Sequence, residues 1–237
     1  MGRFAVMRQK GHAMRSALAF HGRNMLARWA GYFGSEKANY PRFVAVAGAN
    51  AKTVSFVRQT GARMIAEIGI YHGHTSLEFA KYLNGAGELH LFDYADRVAT
   101  VREQIAAAGF NNVKTFGSSY KLLDSYNWCL AKLLEQHSGP IYDYIFLDGA
   151  HTFAIDALTF FLADKLLKVG GHIDFDDYHW TLRKSPALRP ERFPLTGKMF
   201  TQEQIDTEQV KMIVELLVRR SGRYAEVLEN KIFKKLS

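Results

Sequence analysis

A β-type apolar run passes into a helix within the stretch MIAEIGIYHGHTS, residues 64–76. Gly69 and Gly73 allow the backbone to turn tightly and to approach a ligand closely. Their spacing is G-x-x-x-G and an acid, Glu67, precedes it, which differs from the G-x-G-x-x-G of dinucleotide-binding turns. A strand-to-helix turn also needs glycine for steric reasons alone, so this stretch indicates a ligand site only in combination with its surroundings.

Strand-like and helix-like runs alternate from Arg63 onward, and this pattern predicts parallel strands with helices on both faces of the sheet. Five strands are expected at residues 64–68, 89–93, 113–116, 142–148 and 172–175. Helices are expected at residues 75–83, 98–108, 120–136, 153–167 and 202–220, and a terminal hairpin at residues 224–228 and 232–236. The predicted fold class is therefore Rossmann-like α/β: a doubly wound, mostly parallel seven-stranded sheet with a C-terminal antiparallel hairpin and an N-terminal helical segment.

An acid ends the second predicted strand. Asp93 follows Gly69 by about 24 residues, at a position where a carboxylate in an open α/β sheet can accept hydrogen bonds from ribose hydroxyls. The alternative is that Asp93 caps the next helix. Because the glycine turn and Asp93 end adjacent strands, a nucleoside-bearing cofactor is the better interpretation.

Carboxylates also end the fourth and fifth predicted strands. Asp148 closes one of them, with His151 three residues later, and Asp176 and Asp177 close the other. Neighbouring strands bring these acids together, and they repel one another unless a cation or protons neutralise them. An all-oxygen cluster favours Mg²⁺, Mn²⁺ or Ca²⁺ over zinc. The alternative is that Asp177 caps the following segment while Asp174 and Asp176 face solvent.

Residues 63–180 resemble the class I S-adenosylmethionine-dependent methyltransferases. The features that match are the acid-Gly-x-x-x-Gly turn, the motif D-G-A-H at residues 148–151 and the motif G-G-x-x-x-x-D-D at residues 170–177. Within the class, the similarity is greatest to metal-dependent O-methyltransferases of the catechol type and of the type that acts on macrolide sugars. The resemblance implies cofactor contacts at Glu67, Gly69, Gly73, Asp93, Ser118 and Ser119, and metal binding by Asp148, Asp176 and Asp177.

His151 departs from the catechol pattern. It falls where catechol-type enzymes have a lysine base and where sugar-type enzymes have a histidine. The resemblance therefore implies S-adenosylmethionine and Mg²⁺ (or Mn²⁺ or Ca²⁺) as cofactors, His151 as the catalytic base, and a sugar or another non-catechol hydroxyl of a small molecule as the methyl acceptor. A solvent-exposed His151 in the first turn of a helix is the alternative.

The composition is that of an ordinary globular chain. Of 237 residues, 48% are hydrophobic and 23% are charged, which suits one well-buried α/β domain. No apolar run reaches the roughly 18 residues that span a bilayer. The one cysteine, Cys129, excludes an internal disulfide and a cysteine-based zinc site. A cytoplasmic protein is expected.

The net charge of +8 is distributed unevenly, because residues 1–35 contain six Lys or Arg and no acid. An organelle transit peptide, a helix in contact with a membrane surface, and a basic helix packed on the domain all stay open. Apolar residues recur there at mostly helical spacing, at Met14, Leu18, Met25 and Trp29. We expect residues 1–60 to form a helical cap or lid, which could also join a homodimer, and residues 61–237 to form the methyltransferase domain.

Three other functions remain as alternatives. A nicotinamide-dependent oxidoreductase would use the same kind of sheet, but hydride transfer does not require the acid cluster. A non-catalytic relative would bind the cofactor and act as an interaction module. A nucleic-acid methyltransferase would explain the basic N-terminus, but no recognition motif accompanies the charge, and partnership with nucleic acid is not expected.

Overall fold

The computed structural model describes residues 48–121 and 123–237, and within them seven strands form one sheet. The strands are β1 Met64–Ile68, β2 Glu88–Tyr94, β3 Val113–Ser118, β4 Tyr142–Leu147, β5 Leu167–Phe175, β6 Tyr224–Leu228 and β7 Ile232–Lys235. Their order is β3-β2-β1-β4-β5-β7-β6. Strands β1 to β5 are parallel to one another, whereas β7 pairs antiparallel with both β5 and β6. This arrangement confirms the predicted sheet and hairpin.

Helices cover both faces of the sheet. The helices are α1 Ala51–Thr60, α2 His74–Leu83, α3 Ala95–Ala107, α4 Tyr126–Gln136, α5 Phe153–Leu166, α6 Thr196–Met199, α7 Gln202–Asp206 and α8 Gln209–Ile213. Buried side chains of α1, α2 and α3 form one apolar cluster with the sheet, and those of α4, α5 and α8 form a second. A strand that is buried on both faces has a nearly continuous apolar sequence, as in the segment YIFL of β4.

Two predicted helices differ from the structure. The helix expected over residues 120–136 begins only at Tyr126, because the Ser125 side chain accepts a hydrogen bond from the Asn127 amide and caps it there. The helix expected over residues 202–220 is divided into α7, α8, a π-helical turn at Val214–Val218 and a 3₁₀ turn at Arg219–Ser221. Helical periodicity alone does not distinguish a continuous helix from such a series.

The predicted N-terminal cap lies mostly outside the described residues, since residues 1–47 are not among them. The described part of the segment forms α1, whose Val54 and Val57 are buried against the domain. None of the helices in residues 48–121 and 123–237 has the length and apolar character needed to cross a membrane.

The strand order determines where a ligand can bind. Strand β1 lies between β2 and β4, so the helices that follow β1 and β4 leave in opposite directions across the sheet. A crevice forms at such a switch point, beyond the C-terminal ends of the strands. All the predicted site residues follow or end strands at this edge, apart from Glu67, which lies within β1.

Candidate active site

The turn after β1 needs glycine at two positions. Gly69 has a φ of +83°, and a Cβ placed on it would lie 1.9 Å from the carbonyl oxygen of Asp148. Gly73 has a φ of +75°, and a Cβ there would lie 2.4 Å from Cγ1 of Val101. Both residues therefore combine a left-handed backbone with a close approach, which no other residue type tolerates. The turn is thereby held against the C-terminal end of β4 and against α3.

Glu67 is a buried acid without a full set of partners. Its side chain is buried within β1, and its Oε2 atom has no hydrogen-bond partner among the described residues. Burial raises the pKa of Glu67 to about 8, with the Ser76 hydroxyl acting against burial and the Asp93 carboxylate adding a smaller increase. An unpaired buried carboxylate is costly, so the position fits a ligand that brings a cationic amine.

Asp93 holds the glycine turn. Its Oδ2 accepts hydrogen bonds from the backbone amides of Ile70 at 2.9 Å and Tyr71 at 3.3 Å, and its Oδ1 accepts one from the Tyr94 amide at 2.7 Å. Burial raises the pKa of Asp93 despite these donors. The N-cap of α3 is Tyr94, so Asp93 does not occupy the capping position that the sequence left open. Arg97 Nη1 also lies 3.4 Å from both oxygens, so a ribose hydroxyl would share the carboxylate with these donors or replace the arginine.

The two serines after β3 differ in their surroundings. Ser118 is buried, and its Oγ lies 3.4 Å from the carbonyl oxygen of Asp93. Ser119 uses both its amide and its hydroxyl to bind Oδ2 of Asp124, at 2.7 and 2.6 Å. The structure therefore brings Ser118 to the Asp93 side of the crevice, whereas the donors of Ser119 are already engaged within their own loop.

Asp148, His151 and Asp177 meet at the ends of β4 and β5. His151 Nε2 lies 3.5 Å from Asp148 Oδ1 and 3.4 Å from Asp177 Oδ2, and one ligand atom from each residue fits within 4.8 Å of the others. Burial raises the pKa of Asp148 well above its usual range, with the charges of Asp176 and Asp177 next in importance. Burial likewise raises the pKa of Asp177. This set of donors carries an excess of negative charge that a cation would relieve.

Asp176 lies beside this cluster with partners of its own. Its Oδ1 accepts hydrogen bonds from Asn50 Nδ2 at 2.8 Å and from Lys231 Nζ at 3.0 Å. The structure thus groups two of the three predicted metal-binding acids, Asp148 and Asp177, with His151, whereas Asp176 is outside that group and is held by two further residues. Asn50 precedes α1 and Lys231 is the last residue of the turn in the terminal hairpin, so both lie outside the segment whose motifs the sequence revealed.

Asp174 is fully buried, so the expectation that it faces solvent, which belonged to the alternative interpretation, is wrong. Its Oδ2 accepts hydrogen bonds from Thr53 Oγ1 at 2.7 Å and Tyr144 Oη at 2.6 Å, and its Oδ1 lies 3.0 Å from Lys231 Nζ. Burial raises the pKa of Asp174 to about 6 against the effect of these partners. The Asp174 carboxylate therefore helps to hold Lys231 next to Asp176.

A buried tyrosine supports the turn that carries His151. Tyr126 Oη donates to Asp156 Oδ1 at 2.5 Å and accepts a hydrogen bond from the Ala150 amide at 2.9 Å. His151 itself has a φ of +54°, an uncommon conformation for a residue other than glycine. Its side chain is 16% exposed, so it is not the solvent-facing residue of the alternative interpretation, and its ring lies 5.3 Å from that of Trp180. No sequence motif pointed to Tyr126 or Asp156.

A cavity of about 660 Å³ is lined in part by residues that follow Trp180 in the sequence, starting with Thr181. It lies between residues 181–184 and helix α8, and charged side chains such as Lys184, Glu208 and Lys211 line it together with Met212. It is an open groove on the surface, and neither Trp180 nor His151 is among the residues that line it.

Comparison with known proteins agrees with the observed fold. Residues 66–178 match a family model described as a methyltransferase domain. No curated protein matches the chain. The domain match and the strand order show that residues 66–178 form a methyltransferase domain with a Rossmann-like methyltransferase fold, which supports assignment to the class I S-adenosylmethionine-dependent methyltransferases. Both findings support the predicted family.

Three solved structures illustrate the likeness. An S-adenosylhomocysteine-bound methyltransferase of Podospora anserina has a TM-score of 0.53 and 18% identity, over 78% of this chain and 76% of its own. A Staphylococcus aureus protein assigned as a caffeoyl-CoA O-methyltransferase has a TM-score of 0.53 and 16% identity, over 93% of this chain and 98% of its own. A Clostridium thermocellum protein assigned as an rRNA methylase has a TM-score of 0.53 and 10% identity, over 81% of this chain and 100% of its own. Since such different acceptors share the fold, the acceptor must be argued from the site.

Proposed function

We propose that this chain transfers the methyl group of S-adenosylmethionine to a hydroxyl oxygen of a small molecule, with His151 as the base and a divalent cation on Asp148, Asp176 and Asp177. The observation that carries the proposal is the position of His151 Nε2, within 3.5 Å of Asp148 and Asp177. Gly69 contacts the backbone of Asp148, so the proposed cofactor turn and the proposed base lie on adjoining segments.

The cofactor fits the residues at the end of β1. The buried Glu67 Oε2 suits the ammonium group of the cofactor's methionine part, and the two glycines leave room for a close backbone approach. Asp93 suits the ribose hydroxyls, next to the buried Ser118. When bound, the sulfonium supplies an electrophilic methyl group, so the protein has to align the acceptor and remove its proton.

His151 accepts that proton at Nε2. A hydroxyl with a pKa of about 13 lies roughly six units above neutral pH, so its ionisation costs about 8 kcal/mol. General-base catalysis contributes about 10²- to 10⁴-fold, or roughly 3–5.5 kcal/mol. The base alone is therefore insufficient for an aliphatic hydroxyl, although it nearly suffices for a phenol with a pKa near 10.

The acid cluster offers the remaining stabilisation. Its donors are carboxylate oxygens, the ligands that Mg²⁺, Mn²⁺ and Ca²⁺ prefer, and the raised pKa of Asp148 reflects burial first and then the negative charges of Asp176 and Asp177. A divalent cation held there would lower the pKa of a hydroxyl bound to it. We therefore favour an acceptor with an aliphatic hydroxyl, such as a sugar or another polyol, over a catechol.

The test is transfer of labelled methyl groups from S-adenosylmethionine to a panel of sugars, polyols, phenols and total RNA, with Mg²⁺ and with EDTA. We expect label on a hydroxylated small molecule, with Mg²⁺ required, and at least a 100-fold loss in Asp148→Asn. Glu135→Gln removes an exposed acid on α4 and serves as the matched control. Label on RNA alone, or full activity of Asp148→Asn, would overturn the proposal.

A further inference from the structure

Asn50 connects three parts of the site. Its side-chain oxygen accepts a hydrogen bond from the Thr53 amide at 3.2 Å, which caps α1. Its side-chain nitrogen donates to Asp176 Oδ1 at 2.8 Å. Its backbone amide donates to Thr75 Oγ1, in the first turn of α2, at 2.9 Å. The residue is thus fixed at both its backbone and its side chain, next to one proposed metal-binding acid.

The two oxygens of Asp176 are in different situations. Oδ1 receives two donors, the Asn50 amide and the Lys231 ammonium, and no described residue hydrogen-bonds Oδ2. Lys231 is itself held in place by Asp174 at 3.0 Å. With Oδ1 bound from two sides the carboxylate cannot rotate freely, and Oδ2 is left as the oxygen that can bind a cation.

We propose that Asn50 is a positioning residue of the metal site, which orients Asp176 so that Oδ2 serves the cation. This inference rests on the divalent-metal part of the proposed function. Partners that hydrogen-bond a metal-binding carboxylate fix its orientation, and their loss typically weakens metal binding by about 10- to 100-fold.

The residue type follows from its two tasks. A helix cap needs an acceptor, which Ser, Thr, Asp and Asn all supply. Orienting Asp176 also requires a donor that extends beyond that acceptor, and of these four side chains only the Asn amide has both groups on one planar unit. An Asp at position 50 would cap the helix but place a second carboxylate against Asp176.

This division of tasks permits a test in which the cap is kept. Asn50→Ser and Asn50→Thr retain an acceptor for the Thr53 amide and replace the amide donor to Asp176 with a hydroxyl on a shorter side chain. Thr201→Ala is the matched control, because it removes the cap of the exposed helix α7 and no proposed site contact. Mn²⁺ binding is followed by electron paramagnetic resonance of the free ion, without substrate, and S-adenosylhomocysteine binding by calorimetry.

We expect the wild type and Thr201→Ala to bind Mn²⁺ equally, and both Asn50 variants to bind it about 10-fold more weakly, with cofactor affinity within about twofold of the wild type. Equal Mn²⁺ affinity in folded Asn50→Ser or Asn50→Thr would overturn the inference while leaving the proposed function intact. Equal weakening of Mn²⁺ and cofactor binding would also overturn it, since that result indicates general damage. Absence of Mn²⁺ binding in the wild type would overturn the metal part of the proposed function and the inference with it.

Discussion

Gly69 approaches Asp148 so closely that a Cβ at residue 69 would lie 1.9 Å from the Asp148 carbonyl oxygen. Asp148 also donates its backbone amide to the carbonyl of Ile68 at 2.8 Å, so β1 and β4 remain joined up to the point where both strands end. The proposed cofactor turn and the proposed metal-binding acid are therefore parts of one rigid unit. A change to either should disturb both.

The first prediction concerns this contact. Gly69→Ala should reduce S-adenosylhomocysteine affinity at least 10-fold and lower the unfolding temperature, because the new Cβ must displace the backbone of β4. Gly85→Ala is the matched control: its φ is +78°, but no atom lies within 4 Å of the added Cβ. That variant should incur only the left-handed backbone cost of about 1–2 kcal/mol. Equal effects of the two changes on stability and binding would refute the steric argument.

The second prediction concerns the buried Glu67. Since its pKa is raised from 4.5 to about 8 by burial, the folded state holds a proton that the unfolded state loses earlier. The stability that the neutral acid contributes is complete below about pH 4.5 and is lost as the pH rises through about 8. The stability of the wild type without ligand should thus fall across this range.

Glu67→Gln should show a flatter dependence of unfolding temperature on pH between 5 and 8, measured calorimetrically in EDTA. Each kcal/mol moves the unfolding temperature by about 2–4 °C in a chain of this size. Comparison of the two proteins cancels the contributions of the other acids. Parallel curves would show that Glu67 ionises normally.

The fold could be predicted from the sequence more fully than the site. The strands and helices follow from alternating apolar runs and glycine turns, because periodicity and turn chemistry are local properties of the chain. The convergence of Asp148, Asp176 and Asp177 was predictable for the same reason, since neighbouring parallel strands end at one edge. The bounds of helices were predicted less well, as at Tyr126, where a serine cap sets the start.

The supporting residues could not be predicted. Asn50 and Lys231 reach Asp176 from opposite ends of the described chain, and Tyr126 reaches the Ala150 amide from a different helix. Such contacts depend on tertiary packing, and no spacing within the sequence encodes them. The hydrogen bonds from Ser119 to Asp124 are a similar case, because they depend on the position of Asp124 in a loop.

The third prediction concerns the base. His151→Ala should lower kcat at neutral pH by about 10²- to 10⁴-fold, with recovery as rising pH ionises the acceptor directly. His179→Ala, which removes an exposed histidine paired with Glu208, is the control and should leave kcat unchanged. A pH–rate profile of each variant distinguishes the two. Wild-type turnover by His151→Ala at pH 7 would exclude His151 as the base.

The fourth prediction concerns the support beneath His151. Tyr126→Phe leaves the Ala150 amide and the buried Asp156 without their shared hydroxyl, so both stability and kcat should fall. Tyr142→Phe removes another buried hydroxyl, which lies 2.7 Å from His90 Nδ1 and is remote from the D-G-A-H turn. Each variant should lose about 1–3 kcal/mol of stability. Only Tyr126→Phe should lower kcat as well, and an equal kcat in the two would contradict the supporting role.

The most direct test of the central claim is calorimetric titration of S-adenosylhomocysteine into the wild type and into Glu67→Gln, each with Mg²⁺ and with EDTA. The account predicts micromolar binding by the wild type in both buffers and at least 10-fold weaker binding by the variant, because the cofactor's ammonium loses its buried carboxylate. No binding by the wild type in either buffer, or equal affinity of the two proteins, would contradict the assignment of this edge of the sheet as the cofactor site.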